Sequence, residues 1–329
     1  MKFFFKKYWF TLGLIFVFSF PLLDFTGFIS GAGRFLKNNS GPDIVIVLIF
    51  LCSGLSLDAK EVKSGIKDFF PVVLSLFLIF VVSPFIAYII VQLPLAFGII
   101  AGLAVVSVMP TTLSSGVVMT AAAGGNKAQA LLITVCASFI AVFTIPFSLK
   151  IILGKASVSG LMFDPFSLML SIGLKVLLPL AIGYGLVVFF KKIRNYLKLI
   201  QVLSQLFILV IVWISASAAE NIFLTDMKNI IIVLLTVFIF HLLLTGAGWL
   251  FVNLFKIGKA RRESVIFMGG QKTLPLSLIV QVSVFPDLGL ALAVCVMHHL
   301  VQLIYDSFIQ ARMSAAVQTK EFLHDSKEF

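Results

Sequence analysis

Two polar, helix-breaking runs interrupt the apolar segments of this 329-residue chain, and they hold the side chains best able to bind a small solute. The first run is PTTLSSG at residues 110–116, and the second is GGQKTLP at residues 269–275. A lysine costs about 2.5 to 3.5 kcal/mol to insert into a bilayer, so Lys272 should face polar partners or water inside the protein. Two interrupted apolar segments at matching places in two halves of a chain indicate a transport site.

The first run offers hydroxyl groups at a point where a helix should break. Four side chains supply them, Thr111, Thr112, Ser114 and Ser115. Pro110 cannot donate a backbone hydrogen bond and Gly116 tolerates unusual dihedral angles, so the backbone between them could unwind and present its polar groups to a ligand. The alternative is a proline-kinked helix whose hydroxyl groups bond to their own backbone.

The second run combines an amide, a cation and a hydroxyl in Gln271, Lys272 and Thr273. Lys272 could pair with an acidic residue, bind an anionic substrate, lose its proton during a transport cycle, or occupy the place where a related protein keeps a metal ion. A purely structural role is a further alternative. The nearest apolar spans of the first half contain no acidic residue, which argues against a simple buried salt bridge.

A third polar set lies on the span that follows the first run. Thr134 and Ser138 are four residues apart, hence on one helical face, and Asn126 lies at the start of the same span. We expect this face to lie beside the first break and to contribute to the site. Hydroxyl groups that only pack or cap their own helix are the alternative.

The last span carries a polar stripe. His298, Gln302 and Asp306 are spaced four residues apart and run towards one end of the helix. Such a stripe could relay protons, because histidine titrates near neutral pH. In the alternative interpretation His298 bonds within the bundle and Asp306 meets the lipid headgroups.

The composition is that of a polytopic membrane protein, with 60% hydrophobic residues, 12% charged residues and a mean hydropathy of +1.12. A water-soluble domain cannot cover so much apolar surface. Apolar runs of about 20 residues match a hydrocarbon core about 30 Å thick, and the alternating period of a barrel is absent, so we predict helices. The formal charge of +11 arises in short loops between spans, which argues against nucleic-acid binding. The sequence shows no enzyme motif and no cysteine pair at metal-binding spacing, so we expect no enzyme and no cofactor beyond a coupling sodium ion or proton.

We predict ten transmembrane helices. Their approximate ranges are 8–27, 43–57, 69–92, 95–123 (broken), 126–153, 165–190, 199–219, 229–254, 263–285 (broken) and 287–311. With the N-terminus inside, inner segments hold 18 of the 25 Lys and Arg residues and outer segments hold 5. This bias places both termini in the cytoplasm, and we expect a bacterial inner membrane. The first span resembles a signal peptide without a cleavage site, so we expect it to be retained.

Ten spans divide into two halves of five. An odd number of spans in each half forces the halves into opposite orientations, so a shared fold would be an inverted repeat in which the broken fourth and ninth spans correspond. We predict a first repeat at residues 1–155, a second at 160–313 and a polar cytoplasmic tail at 314–329. The loop at residues 58–67 has mixed charges and is typical of a short interfacial helix.

The chain resembles the bile acid:sodium symporter superfamily, most closely its SBF-like branch, which includes the orphan seventh member of the human family. The resemblance covers nearly the whole chain. It rests on GLSL at residues 54–57, PTTLSSGVVMT at 110–120, GN at 125–126 and GGQKTL at 269–274. It implies a five-helix inverted repeat, a division into core and panel domains, and a crossing of the fourth and ninth helices.

The resemblance also implies a degraded sodium site. Relatives that couple to sodium hold ions around the crossing. The positions that match theirs are Ser115, Thr134 and Gln271, whereas Ala130, Phe267 and Ile79 stand in place of a serine, a glutamate and a glutamine. Loss of the carboxylate should greatly weaken a sodium site, because hard cations need several oxygen ligands and charge compensation.

We therefore predict a secondary transporter of a small organic anion, with sodium coupling weakened or replaced by Lys272. One alternative is a membrane regulatory protein that keeps the fold without transporting. Another is a cation/proton antiporter, which would need a carboxylate at the crossing, and the sequence shows none there. The lipid bilayer is the expected partner, and no feature of the sequence specifies an oligomeric state.

Overall fold

The computed structural model describes residues 2–24, 26–57, 64–65, 68–112, 115–155 and 164–325, and these residues form helices and connecting segments without strands. We number the helices in chain order as α1 Lys2–Ser19, α2 Phe28–Asn38, α3 Gly41–Leu55, α4 Phe70–Ile90, α5 Phe97–Ser107, α6 Ser115–Ala122, α7 Lys127–Lys155, α8 Pro165–Phe189, α9 Leu197–Thr225, α10 Met227–Leu254, α11 Arg261–Gly270, α12 Leu274–Val284 and α13 Gly289–Asp325. Ser114 lies outside the described residues, as do most of the predicted interfacial helix at 58–67 and most of the junction expected between the two repeats, near residues 154–164.

Seven stretches of the described chain are long and apolar enough to span a membrane, and the count is eight if the bent pair α2 and α3 forms one span. The stretch Arg261–Val284 contains α11 and α12 together, and 89% of its most apolar window is buried inside the protein. Such burial is typical of a helix enclosed by other helices rather than by lipid. The fold is therefore that of an all-helical polytopic membrane protein.

Helix α2 occupies the segment between the first two predicted spans, to which we assigned no secondary structure. It packs against α9 and meets α3 at an angle of 78°. The Asp24 carboxylate fixes its start, because Oδ2 accepts hydrogen bonds from Ile29 N at 2.7 Å and Ser30 N at 2.9 Å. The Thr26 hydroxyl also donates to Asp24 Oδ1, at 2.6 Å. The sequence offered no sign of α2 in a search for spans, because eleven residues are too few to cross a bilayer.

Helix α13 runs past the end of the predicted last span, through residues 312–325. We expected a polar tail there that was either cytoplasmic or disordered. The segment contains Ala315, Ala316, Gln318, Lys320 and Glu321, residue types that favour a helix in water. The helical pattern therefore continues beyond the apolar stretch.

A π-turn distorts α4 immediately before Pro84. Ser83 N donates to Leu78 O, five residues back, over the turn Leu78–Val82. The same pattern would pair the Ile79 carbonyl with the nitrogen of Pro84, which carries no hydrogen. The Ile79 carbonyl is thus left without a partner in its own helix.

Helices α3 and α8 pack so closely that their backbones are in contact at two glycines. A Cβ atom added to Gly54 would overlap with the carbonyl of Leu180, and one added to Gly183 would overlap with the carbonyl of Leu51. Small residues at a helix interface permit this close approach in membrane proteins. Gly185, two residues further along α8, has open space around its Cα.

These contacts predict opposite effects for two glycine substitutions on one helix. We expect Gly183→Ala to destabilise the protein by about 1 to 3 kcal/mol or more, because backbone must move to admit the methyl group. Gly185→Ala should be neutral or stabilising by up to about 1 kcal/mol, the gain in helix propensity. Thermal unfolding of both variants in detergent micelles measures the difference, and equal unfolding temperatures would contradict the close packing of α3 and α8.

Candidate functional site

The two polar runs contact each other in the interior. Helix α5 ends at Ser107 and α6 begins at Ser115, while α11 ends at Gly270 and α12 begins at Leu274. Between these helices, Thr273 N donates to the carbonyl of Pro110 at 3.0 Å. The non-helical segments therefore share a backbone hydrogen bond, and we call their contact region the break site.

Lys272 lies at the centre of the break site and is only 1% exposed. Its Nζ donates to the carbonyl of Met109 at 2.9 Å and to that of Ile79 at 3.1 Å. Met109 follows the end of α5, and Ile79 lies in the π-turn of α4, so neither carbonyl has a partner in a helix. The lysine head group thus occupies the place between freed carbonyl oxygens that would suit a bound cation.

Gln302 of α13 binds the backbone of Lys272 from the other side. Gln302 Oε1 accepts from Lys272 N at 2.9 Å, and Gln302 Nε2 donates to the Lys272 carbonyl at 3.0 Å. The same Nε2 lies 3.0 Å from His299 Nδ1. One side-chain amide thereby replaces the two hydrogen bonds that Lys272 would make inside a continuous helix, which lets the break stay buried.

Gln271 connects the hydroxyl groups of the first break to the polar stripe of α13. Its Oε1 accepts from Thr112 Oγ1 at 2.7 Å and from Ser115 Oγ at 3.0 Å. Its Nε2 donates to Asp306 Oδ2 at 2.8 Å. Asp306 Oδ1 in turn lies 3.0 Å from His241 Nε2. A chain of hydrogen bonds therefore runs from α6 through α13 to α10.

The Asp306 carboxyl group corrects our expectation that the break site has no carboxylate. It is 3% exposed and bonds directly to Gln271, so it does not meet the lipid headgroups. Asp306 is 35 residues from Gln271 in the sequence, and only the return of α13 past the break brings the two together. His241, which we had assigned no role, was missed because a single histidine in an apolar span carries no pattern of its own.

The other predicted residues of the first break and the fifth span take different positions. Thr111 is 1% exposed, and its hydroxyl has no partner among the described residues. Thr134 Oγ1 donates to the carbonyl of Ala130 at 3.0 Å and lies 3.3 Å from that of Thr112, so it joins the break site. Ser138, one turn further along α7, is also buried.

Asn126 lies elsewhere. Its backbone N donates to the carbonyl of Ala260, and its carbonyl accepts from Ser264 near the start of α11. Ser264 precedes Gln271 by seven residues, which is about 10 Å along a helix. Asn126 therefore orders the entry to α7 and α11, where its Oδ1 also caps Gln129 N.

His298 completes the predicted polar stripe but does not bond to Gln302 or Asp306 in the described structure. It is 1% exposed, and its ring centroid lies 5.5 Å from that of His241. Its Nε2 has no hydrogen-bond partner among the described residues. The structure thus groups His298 with His241 and Asp306, while Gln302 serves the backbone of Lys272.

A cavity of about 30 Å³ adjoins the break site. Its wall includes Thr112, Ser115, Thr273 and His299 from the break side, and Phe10, Phe50 and Ile208 from α1, α3 and α9. A second cavity of about 180 Å³ lies between α3 and α9 on one side and α6 and α7 on the other. Its polar lining includes Ser53, Ser56, Lys127, Gln201, Ser204 and Gln205. The smaller cavity is large enough for a water molecule but too small for an organic solute, so a solute could reach the break only if these helices moved apart.

The chain matches the SBF-like CPA transporter family over residues 8–315. It is 29% identical over 278 residues to the probable sodium/metabolite cotransporter BASS4, chloroplastic, of Arabidopsis thaliana, a match that covers 79% of this chain and 63% of the relative. The BASS4 protein of Oryza sativa subsp. indica is 31% identical over 280 residues, a match that covers 79% of this chain and 66% of the relative. Sodium/bile acid cotransporter 7 of Xenopus tropicalis is 32% identical over 206 residues, a match that covers 59% of this chain and 54% of the relative. The matched part of the chain thus spans less than two thirds of the length of the relatives with the longest matches.

Proposed function

Because the chain belongs to the SBF-like CPA transporter family, we propose that it is a secondary transporter that binds a small organic anion at the break site. The observation that carries this proposal is the contact between two interrupted helices around a buried lysine. Unwound backbone inside a membrane protein is tolerated where it lines a cavity, and broken helices hold the substrates of many secondary transporters. The hydroxyl groups of Thr112 and Ser115 adjoin such a cavity.

The break site favours an anion for two reasons. Helices α6 and α12 both begin there, so the positive ends of two helix dipoles point at it. The hydroxyl groups of Thr112 and Ser115 and the ring of His299 line the cavity and can donate hydrogen bonds. An anion held against these groups gains charge-assisted hydrogen bonds that a neutral solute cannot make.

The arrangement of spans that we propose is the one predicted from the sequence. We infer ten spans in an inverted five-helix repeat, with α5–α6 and α11–α12 as the fourth and ninth spans, crossing at the break site. Helices α1, α3 and α9 would belong to the panel that moves against the core, and both cavities lie between these two groups. Both termini would lie in the cytoplasm of a bacterial cell, in accordance with the basic inner loops.

Lys272 would take the place of a coupling sodium ion. The residues at this position do not fit sodium, because Lys272 Nζ already uses the carbonyl oxygens of Ile79 and Met109. Phe267 also replaces the glutamate that the sodium-coupled relatives are expected to carry. The side chain would supply the charge that an ion brings elsewhere, without dissociating from the protein.

Counterflow in proteoliposomes tests the transport activity. We expect uptake of at least one labelled acid from a panel of mono- and dicarboxylates when the same acid is trapped inside. Thr112→Val should lower the initial rate about tenfold, the effect of losing one hydrogen bond of about 1.4 kcal/mol. Thr144→Val is the matched control, because Thr144 bonds only to the carbonyl of Ile140 in its own helix.

The absence of counterflow for every acid would contradict the proposal and favour the alternative of a membrane protein that does not transport. A second candidate function is cation/proton exchange, which the carboxyl group of Asp306 at the break site favours. Exchange would appear as dissipation of an imposed pH gradient on addition of sodium or potassium without any organic anion. Transport of an anion without such dissipation would exclude it.

A further inference from the structure

Asp306 and His241 form a buried acid–base pair between α13 and α10. His241 Nε2 lies 3.0 Å from Asp306 Oδ1, and the two side chains are 1% and 4% exposed. Both His241 and the neighbouring His298 keep a buried ring nitrogen without a hydrogen-bond partner among the described residues. Ionisable groups inside a membrane protein commonly carry protons, and the contacts of Lys272 do not involve this pair.

Few other titratable groups face the pair. His298 and Tyr305 on α13 have ring centroids 5.5 Å and 5.4 Å from that of His241. Lys272 at the break site is engaged by two carbonyl groups, and His299 on α13 is engaged by Gln302. Helices α5, α6 and α12 and the described side chains of α1, which also pack against α13, include no titratable group. Those of α9, Lys198 and Glu220, lie near its ends, Lys228 lies at the start of α10, and Arg312 follows Asp306 on α13. Helices α4 and α11, which pack against α10, carry titratable groups only near their ends, Tyr88 on α4 and Arg261, Arg262 and Glu263 on α11.

The Gln271 amide has one defined orientation while Asp306 is ionised. An ionised carboxylate only accepts hydrogen bonds, so Gln271 presents Nε2 to Asp306 and Oε1 to the opposite side. There Oε1 accepts from the hydroxyl groups of Thr112 and Ser115. The Thr112 hydrogen is therefore directed at Gln271, and the Ser115 hydrogen is directed at Gln271 or at Thr112 Oγ1, which also lies 3.0 Å away. Neither hydrogen points into the cavity that these side chains line.

Protonation of Asp306 reverses the orientation of the Gln271 amide. A proton from water binds Oδ2, and the new O–H group can donate to Gln271 only after the amide turns over. The turned amide directs Nε2 at the oxygen atoms of Thr112 and Ser115. Their hydroxyl hydrogens are then free to point into the cavity. The single covalent change is the O–H bond formed at Asp306.

We propose that Asp306 and His241 form the protonation site of this transporter, and that Gln271 transmits the protonation of Asp306 to the hydroxyl groups at the cavity. The inference rests on the proposed function, because the ligand of these hydroxyl groups is the organic anion. The hydroxyl donor of Thr112 becomes available only after protonation, so the anion binds more tightly to the protonated state. By reciprocity, anion binding draws a proton into the site, which makes the transport proton–anion symport.

The protonation site is tested without any substrate by infrared difference spectra of the purified protein, recorded as the pH is lowered in steps. We expect acidification to produce the carbonyl band of a protonated carboxyl group that is lost in Asp306→Asn and displaced in His241→Gln. Asp287→Asn, which removes an exposed carboxylate of the outer loop, should leave this band unchanged. A band that persists in Asp306→Asn would overturn the proposal.

Transmission through Gln271 is tested with a residue that does not touch Asp306. Thr112→Val should move the pH at which the Asp306 band is half developed, because the valine can neither donate to nor accept from the Gln271 amide. Thr144→Val should not move it. The same midpoint in wild type and Thr112→Val would overturn transmission, since a purely structural pair would not respond to Thr112.

Coupling to the anion is tested with the labelled carboxylates of the counterflow panel. The apparent Kd of the wild-type protein should rise up to tenfold for each pH unit over the titration range, the limit for one linked proton. Asp306→Asn should make the Kd independent of pH. A wild-type Kd that does not change with pH would overturn proton–anion symport. If no carboxylate binds at any pH while the infrared results hold, the proposed anion is wrong and the protonation site stands.

Discussion

Replacement of Lys272 by alanine is expected to abolish transport and to turn a protein that is insensitive to sodium into one that sodium stabilises. The substitution leaves the carbonyl oxygens of Ile79 and Met109 buried and unpaired, which costs about 1 to 3 kcal/mol for each. It also opens a space the size of the lysine side chain. Sodium with one or two waters could fill this space, because hard cations prefer carbonyl oxygen ligands.

Thermal unfolding in sodium chloride and in choline chloride measures this effect. We expect Lys272→Ala to unfold several degrees lower than wild type in choline and to recover part of the loss in sodium, while wild type unfolds at the same temperature in both salts. Lys272→Met fills the space with an apolar chain, so it should be destabilised without recovery. Lys175→Ala is a control, because Lys175 pairs with Asp43 at a partly exposed site.

A specific result would contradict the role given to Lys272. If wild-type protein takes up its substrate with sodium, and this uptake survives Lys272→Ala but disappears in Gln271→Ala, a sodium site exists that does not depend on the lysine. The lysine would then be a structural residue of the break.

The sequence predicted the elements of the site that have a local signal. Lys272 is unusual in an apolar span, and Pro110 and Gly269 cannot continue a regular helix easily, so the two breaks were evident from single residues and their neighbours. Pro84 also carried a signal, since a proline inside a span frees a carbonyl upstream. The identity of the group that would use that carbonyl, Lys272 from the other half of the chain, depends on how the helices pack.

The parts that the sequence did not reveal depend on contacts between distant segments. Gln302 and Asp306 were placed on one stripe because they are four residues apart, yet one binds the backbone of Lys272 and the other binds Gln271 and His241. Helical spacing shows which side chains share a face, but not which partner each one meets. The role of His241 therefore needed the position of α10 relative to α13.

Substitution of Gln302 is expected to have the second large effect, because its amide supports the break itself. Gln302→Met keeps the volume of the side chain but removes both hydrogen bonds to Lys272, leaving its backbone N–H and carbonyl buried without partners. Each unpaired backbone group costs about 1 to 3 kcal/mol, so we expect a loss of about 2 to 6 kcal/mol in unfolding free energy. Transport should be lost with it, since the break would rearrange to pair its backbone.

A graded series distinguishes this role from general packing. Gln302→Glu can still accept from Lys272 N but cannot donate to the Lys272 carbonyl, so its stability should lie between those of wild type and Gln302→Met. Gln92→Met makes the same change at an exposed glutamine just after α4, whose amide donates to the carbonyl of Tyr88, and it should unfold within about 0.5 kcal/mol of wild type. Thermal or denaturant unfolding in micelles gives the order. If Gln302→Met were as stable as Gln92→Met, the Lys272 backbone would have other partners, and the break site would not require the amide of α13 to remain open.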